Sequence, residues 1–78
     1  MYFVYILQCC DNSLYTGITN DIEKRMHMHE SKKGSKYVRA HLPFKLIYSE
    51  IQDTKQSALK REREIKKLSH EEKLELIK

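Results

Sequence analysis

The chain has 78 residues, of which 40% are hydrophobic and 33% charged, and a formal net charge of +4. That length suits one domain with one modest core, expected over residues 1–78, and leaves no room for a second. No apolar run is long enough to cross a membrane, and adjacent Cys9 and Cys10 make no disulfide framework, so the expected setting is reducing and cytoplasmic.

MYFVYILQCC at the N-terminus is apolar but lacks a basic lead and a small-residue cleavage site. It reads as a strand rather than a signal peptide. YFVYILQ is apolar on both faces, as central strands are. Turn-forming Asp11 and Asn12 follow, then the alternating, β-rich SLYTGIT, so the first third of the chain reads as a hairpin. Gly17, inside the second strand, has no side chain to pack and adds backbone entropy to lose. A three-residue loop, Cys10-Asp11-Asn12, sets Tyr5 opposite Gly17 and diagonal to Tyr15, on one sheet face. A two-residue loop at Asp11-Asn12 puts the two tyrosines on opposite faces.

Asn20 or Asp21 caps a helix through DIEKRMHMHES. Ile22, Met26 and His29 form its inward stripe; Arg25 and His29, four apart, share a face, and His27 points away. An inward histidine is either a satisfied core residue or a catalytic one, and the His27/His29 spacing is poor for a zinc pair on a helix. KKGSKYVRAHLP is polar and basic, with Gly34 and Pro43 as punctuation, and a short helix fits Lys36 to Ala40. Lys32, Lys33, Lys36, Arg39 and Lys45 concentrate positive charge here, which suits a polyanionic partner. FKLIYSEI reads as the third strand, with Phe44, Leu46 and Tyr48 on one face and Lys45, Ile47 and Ser49 on the other. Asp53 or Thr54 starts a helix through KQSALKREREIKKL. Ser69, with Glu72 at capping-box spacing, starts a last one. The order ββααβαα is that of an α+β domain: a three-stranded antiparallel sheet flanked by three to four helices.

The helix through KQSALKREREIKKL holds an anomaly. With each residue turned by about 100° and Ala58 at zero, Leu59, Ile65 and Leu68 fall on one arc. Glu62 falls at about 40°, inside that arc, while Glu64 falls on the far side. An inward carboxylate needs a partner. Lys66, four residues on, or Arg25 could pair with it; a metal-ligand or acid/base role is the other reading.

Taken together, these residues resemble the GIY-YIG nuclease domain, most closely its small stand-alone bacterial members. Phe3-Val4-Tyr5 and Tyr15-Thr16-Gly17 match the two half-motifs at the family's spacing. DIEKRMHMH, GSKYVRA, FKLIYSE and SALKREREIKKLS follow in the family's order, so the resemblance covers about residues 2–70. No single motif is specific; the order of these elements at fitting distances is. The chain departs at Phe3, where the family has glycine, but keeps the tyrosine that follows.

The resemblance implies a divalent-metal-dependent DNA endonuclease that hydrolyses phosphodiester bonds, acting on branched or damaged DNA in repair or recombination. It implies one ion, Mg²⁺ or Mn²⁺, held by Glu62. It also implies that Tyr5 or Tyr15 takes the proton from the attacking water, with its phenol pKa lowered from about 10 by the metal, Arg25 or His29. Arg25 would clamp a phosphate oxygen, His29 would relay the proton, and Lys36 and Arg39 would hold flanking phosphates. Gly17 is structural in this scheme. Many family nucleases carry a DNA-selecting second domain that this chain lacks, so specificity falls to the basic face or to a protein partner. The alternative is a nucleic-acid-binding module that keeps the fold and cleaves little; a protein-interaction domain is a third reading.

Overall fold

β1 (Tyr2–Cys9) is the middle strand of a three-stranded antiparallel sheet ordered β2-β1-β3. A computed structural model describes all of residues 1–78. β2 spans Leu14–Thr19 and β3 spans Phe44–Gln52. Between them lie α1 (Ile22–Glu30) and α2 (Lys36–Ala40), and after β3 come α3 (Lys55–Lys66) and α4 (His70–Leu76). The architecture is the expected α+β one.

Val4, Tyr5, Ile6 and Leu7 are all fully buried, which a strand achieves only when both of its faces are covered. On one face Val4 and Ile6 pack with Ala58 and Ile65 of α3. On the other, Tyr5 and Leu7 pack with Val38 of α2 and with Tyr15, Ile22 and Met26. Each fully buried aliphatic side chain stabilises the fold by about 1.5–3 kcal/mol.

The hairpin loop has three residues. Cys9 N–H donates to the Ser13 carbonyl and Asn12 N–H to the Cys9 carbonyl, both at 2.9 Å. Asn12 has φ 68°, a left-handed conformation that asparagine tolerates and that three-residue hairpins use at this position. Tyr5 therefore pairs with Gly17, and Leu7 with Tyr15.

The third strand differs from the simple alternation expected. The β1–β3 register shifts between Ile6 and Leu7, so Ile6 pairs with Tyr48 but Leu7 with Leu46. The extra residue is Ile47. A bulge of this kind turns two consecutive residues toward one side: Ile47 and Tyr48 both pack on the α3 side, while Phe44 packs on the other. Tyr48 thus parts from Phe44, and its hydroxyl donates to Glu50 at 2.6 Å.

Side chains close the N-termini of all four helices. Asp21 accepts from Lys24 N–H and Ser35 from Tyr37 N–H. Thr54 with Ser57, and Ser69 with Glu72, form reciprocal capping boxes. Each such cap contributes about 1 kcal/mol. Arg61 of α3 grips Glu50 of β3 through Nε, at 3.1 and 3.0 Å from the two carboxylate oxygens, and so ties α3 to the sheet.

Candidate active site

The Tyr5 ring stands on the sheet face that α1 and α2 cover. Its hydroxyl reaches two side chains of α1: Nε2 of His29 at 3.0 Å, and Nε of Arg25, which donates at 3.4 Å. The spacing of Arg25 and His29, one turn apart, lets both meet a single oxygen. Tyr15 completes the group. Its ring centroid is 6.4 Å from Tyr5 and 5.9 Å from His29, the diagonal contact that the odd loop permits.

Gly17 lies directly across from this cluster. A Cβ there would stand 2.6 Å from the Tyr5 hydroxyl, 2.7 Å from Cζ and 3.2 Å from the Tyr15 ring. Its φ is not in the left-handed region, so what position 17 requires is close approach by an aromatic ring rather than backbone freedom.

The protein by itself does not supply the lowered Tyr5 pKa that base chemistry calls for. Burial pushes the Tyr5 phenol above its ordinary pKa; the Arg25 hydrogen bond pulls downward without prevailing, and the charges of Tyr15 and Glu62 add to the rise. The protein alone therefore keeps Tyr5 protonated instead of lowering its pKa. His29 is pushed down, first by burial and then by the Arg25 charge, so its imidazole is neutral and free to accept at Nε2.

Glu62 lies on α3, which packs against the other face of the sheet, and makes no hydrogen bond or ion pair with Tyr5, Tyr15, Arg25 or His29. Its charge is felt at Tyr5. Its side chain is 17% exposed, against 53% for Glu64, and its partner is Lys66, with Nζ at 3.4 Å on an arm 54% exposed. The inward and outward glutamates are thus distinguished as the helical wheel implies, and the ion pair is the i,i+4 one. No three His, Cys, Asp or Glu side chains gather as a metal cage. A hard cation such as Mg²⁺ needs none: it takes one or two carboxylates and keeps several waters. A single half-buried carboxylate, countered only by a solvent-exposed lysine, fits that demand.

Lys36 and Arg39 stand exposed on α2. Between them Tyr37 stacks on Tyr15 (6.0 Å, 17°) and on His41 (4.2 Å, 18°). Arg25 also lines a surface groove with Thr19, Asn20, Lys24 and Met28. Tyr37, His41 and Gly34 are site neighbours that the sequence reading did not single out. Their approach depends on where the α1–α2 loop folds back, which no local spacing encodes.

Residues 1–75 match the GIY-YIG catalytic domain. The chain belongs to the GIY-YIG family. Among its relatives are a UPF0213 protein of Staphylococcus saprophyticus, 50% identical over 76 residues (97% of this chain, 93% of that one), and one of Syntrophus aciditrophicus, 52% identical over 77 residues (97% and 88%). The solution NMR structure of a UPF0213 protein from Bacillus halodurans superposes with a TM-score of 0.63 at 42% identity, covering 99% of this chain and 83% of that one. A second NMR structure, of an E. faecalis protein, gives 0.65 at 35% identity, covering 96% and 81%. GIY-YIG domains are in general nucleases acting on nucleic acid, while the names of these GIY-YIG relatives state no activity. No helix here is long and apolar enough to cross a membrane.

Proposed function

We propose that this GIY-YIG domain is a divalent-metal-dependent DNA endonuclease that hydrolyses phosphodiester bonds. The observation that carries the reading is the Tyr5 hydroxyl, held between a neutral His29 and Arg25 beside Tyr15. A buried phenol with a raised pKa is a poor base by itself. Paired with an imidazole that accepts at Nε2, it becomes a proton relay: Tyr5 takes a proton from the attacking water as its own passes to His29. Arg25 donates to a non-bridging phosphate oxygen. Glu62 is the metal ligand, with Lys66 displaced toward solvent. One Mg²⁺ or Mn²⁺ bound there would neutralise charge developing on the phosphate and the leaving oxygen. Lys36 and Arg39 hold flanking phosphates without reading sequence. Acting on branched or damaged DNA in repair or recombination, with selectivity from the basic face or a protein partner, completes the reading.

The Glu62–Lys66 pair supports one other reading, a nucleic-acid-binding module that cleaves little, because a lysine satisfies the carboxylate. Labelled single-stranded, duplex, flap and four-way DNA, each incubated with Mg²⁺ or Mn²⁺, separates the two. Cleavage of any form supports the nuclease. Binding that weakens steeply with salt, with all forms left intact, supports the module.

A further inference from the structure

The chain has two glycines, and both press on the same hydrogen bond from different elements. Gly17 meets the Tyr5 end. Gly34, in the loop between α1 and α2, meets the His29 end: a Cβ there would lie 2.5 Å from Nδ1, 2.9 Å from Cε1 and 3.2 Å from Cγ. Real Cβ atoms essentially never come that close, and His29 is 1% exposed, with Tyr5 ahead of it and the Phe44 ring 5.8 Å to its side. The ring has little room to yield.

Gly34 is not there to turn the chain. α1 ends with Lys33 N–H donating to the Met28 carbonyl at 2.8 Å and Lys32 N–H to the His29 carbonyl at 3.2 Å, a Schellman closure. The left-handed position of that motif, where glycine is usual, holds Lys32 at φ 66°, whereas Gly34 has no positive φ. The Schellman turn swings the chain back so that residue 34 lands on the ring of residue 29. At that point only a residue without a side chain fits.

The hydrogen bonds fix what the ring must do. Arg25 can only donate, so the Tyr5 oxygen accepts from it; the buried Tyr5 hydroxyl has no acceptor in reach but His29 Nε2, which assigns its proton there. The ring proton then sits on Nδ1, the atom under Gly34, which is buried without a hydrogen-bond partner. A neutral ring flipped or tilted away from this pose breaks the Tyr5 contact.

We propose that Gly34 is a positioning residue: its missing side chain lets the α1–α2 loop close on His29 and hold the ring with Nε2 on the Tyr5 hydroxyl. The role in cleavage rests on the nuclease reading; the effect on the ring does not.

The test is a cycle of Gly34→Ala, His29→Ala and the double variant. In wild type, nitrogen-15 NMR of the histidines finds His29 protonated at Nδ1 with Nε2 accepting. In Gly34→Ala that signature is lost or the ring becomes mobile. Where wild type cleaves DNA, Gly34→Ala slows it by about tenfold or more, the scale of a misplaced proton-transfer group. In the His29→Ala background the same methyl changes the rate by less than about twofold, because the ring it would strike is gone. Should Gly34→Ala fail to fold, the double variant, which has room for the methyl, regains the fold. An unchanged His29 signature in Gly34→Ala overturns the proposal. So does an equal rate loss in both backgrounds, or a double variant that stays unfolded alongside the single. A wild type that cleaves nothing removes the nuclease reading and leaves the NMR comparison to decide Gly34.

Discussion

The Tyr5 hydroxyl and Nε2 of His29 lie 3.0 Å apart, in a buried contact that joins the central strand to the last turn of α1 across 24 residues of sequence. Removing the hydroxyl leaves a buried imidazole nitrogen without its partner, at about 1–3 kcal/mol. Tyr5→Phe is therefore expected to lower the midpoint of urea unfolding and to abolish relay chemistry, reducing cleavage by roughly 10²–10⁴-fold. Equal cleavage by Tyr5→Phe and wild type would move the base to Tyr15.

Gly17→Ala pits two effects against each other. Alanine in a strand gains about 0.5–1 kcal/mol over glycine, while overpacking a buried site loses about 1–3 kcal/mol. The methyl would meet Tyr5 atoms at 2.6 and 2.7 Å, and Tyr5 is fully buried and hydrogen-bonded twice, so overpacking wins. A scan should show Tm falling by roughly 4–8 °C per kcal/mol lost, with cleavage reduced alongside. A Tm above wild type would mean that the ring yields freely.

Much of this site is legible in the sequence because it depends on short-range periods. Side chains alternate along strands, so an odd hairpin loop suffices to put Tyr5, Tyr15 and Gly17 on one face. The 3.6-residue helical period distinguishes Glu62 from Glu64 and aligns Arg25 with His29. The illegible parts depend on backbone irregularity or on depth. The bulge at Ile47 has no residue signature and sends Tyr48 to the face opposite Phe44. The contact of Gly34 with His29 needs the loop to return. The raised pKa of Tyr5 follows from burial in the assembled core, which spacing does not reveal.

Glu50 should make stability depend on acid. Burial opposes its ionisation, but hydrogen bonds from Tyr48, Arg61 and Gln52 outweigh it and hold the pKa below the ordinary value. A depressed folded-state pKa contributes stability that is complete above the unfolded value of about 4.3 and is lost as pH falls through the folded one. Urea midpoints should begin to fall as pH drops below about 6.5, where the unfolded chain's His29 takes up a proton that the buried ring resists, and fall again below the ordinary glutamate value of about 4.3; Glu50→Gln should be less stable at pH 7, keep the first decline and show a shallower second one. A second decline as steep in Glu50→Gln as in wild type would assign it to other carboxylates.

Lys36 and Arg39 are exposed on α2 and take part in no ion pair. Lys36→Ala and Arg39→Ala should each weaken DNA binding about equally for all sequences and reduce the slope of log K against log salt by about 1. Fluorescence anisotropy across a salt series reads both. An unchanged slope would place the DNA elsewhere.

Metal-dependent cleavage turns on Glu62, because the only cation paired with it is Lys66 at 3.4 Å and its charge is felt at Tyr5. Wild type and Glu62→Gln, purified in parallel, are compared on end-labelled DNA with Mg²⁺ or with a chelator. Circular dichroism checks that both are folded. The expected result is cleavage by wild type only when Mg²⁺ is present, and none by the folded Glu62→Gln protein. Cleavage by Glu62→Gln at the wild-type rate, or no cleavage of any DNA form by wild type, would contradict the account.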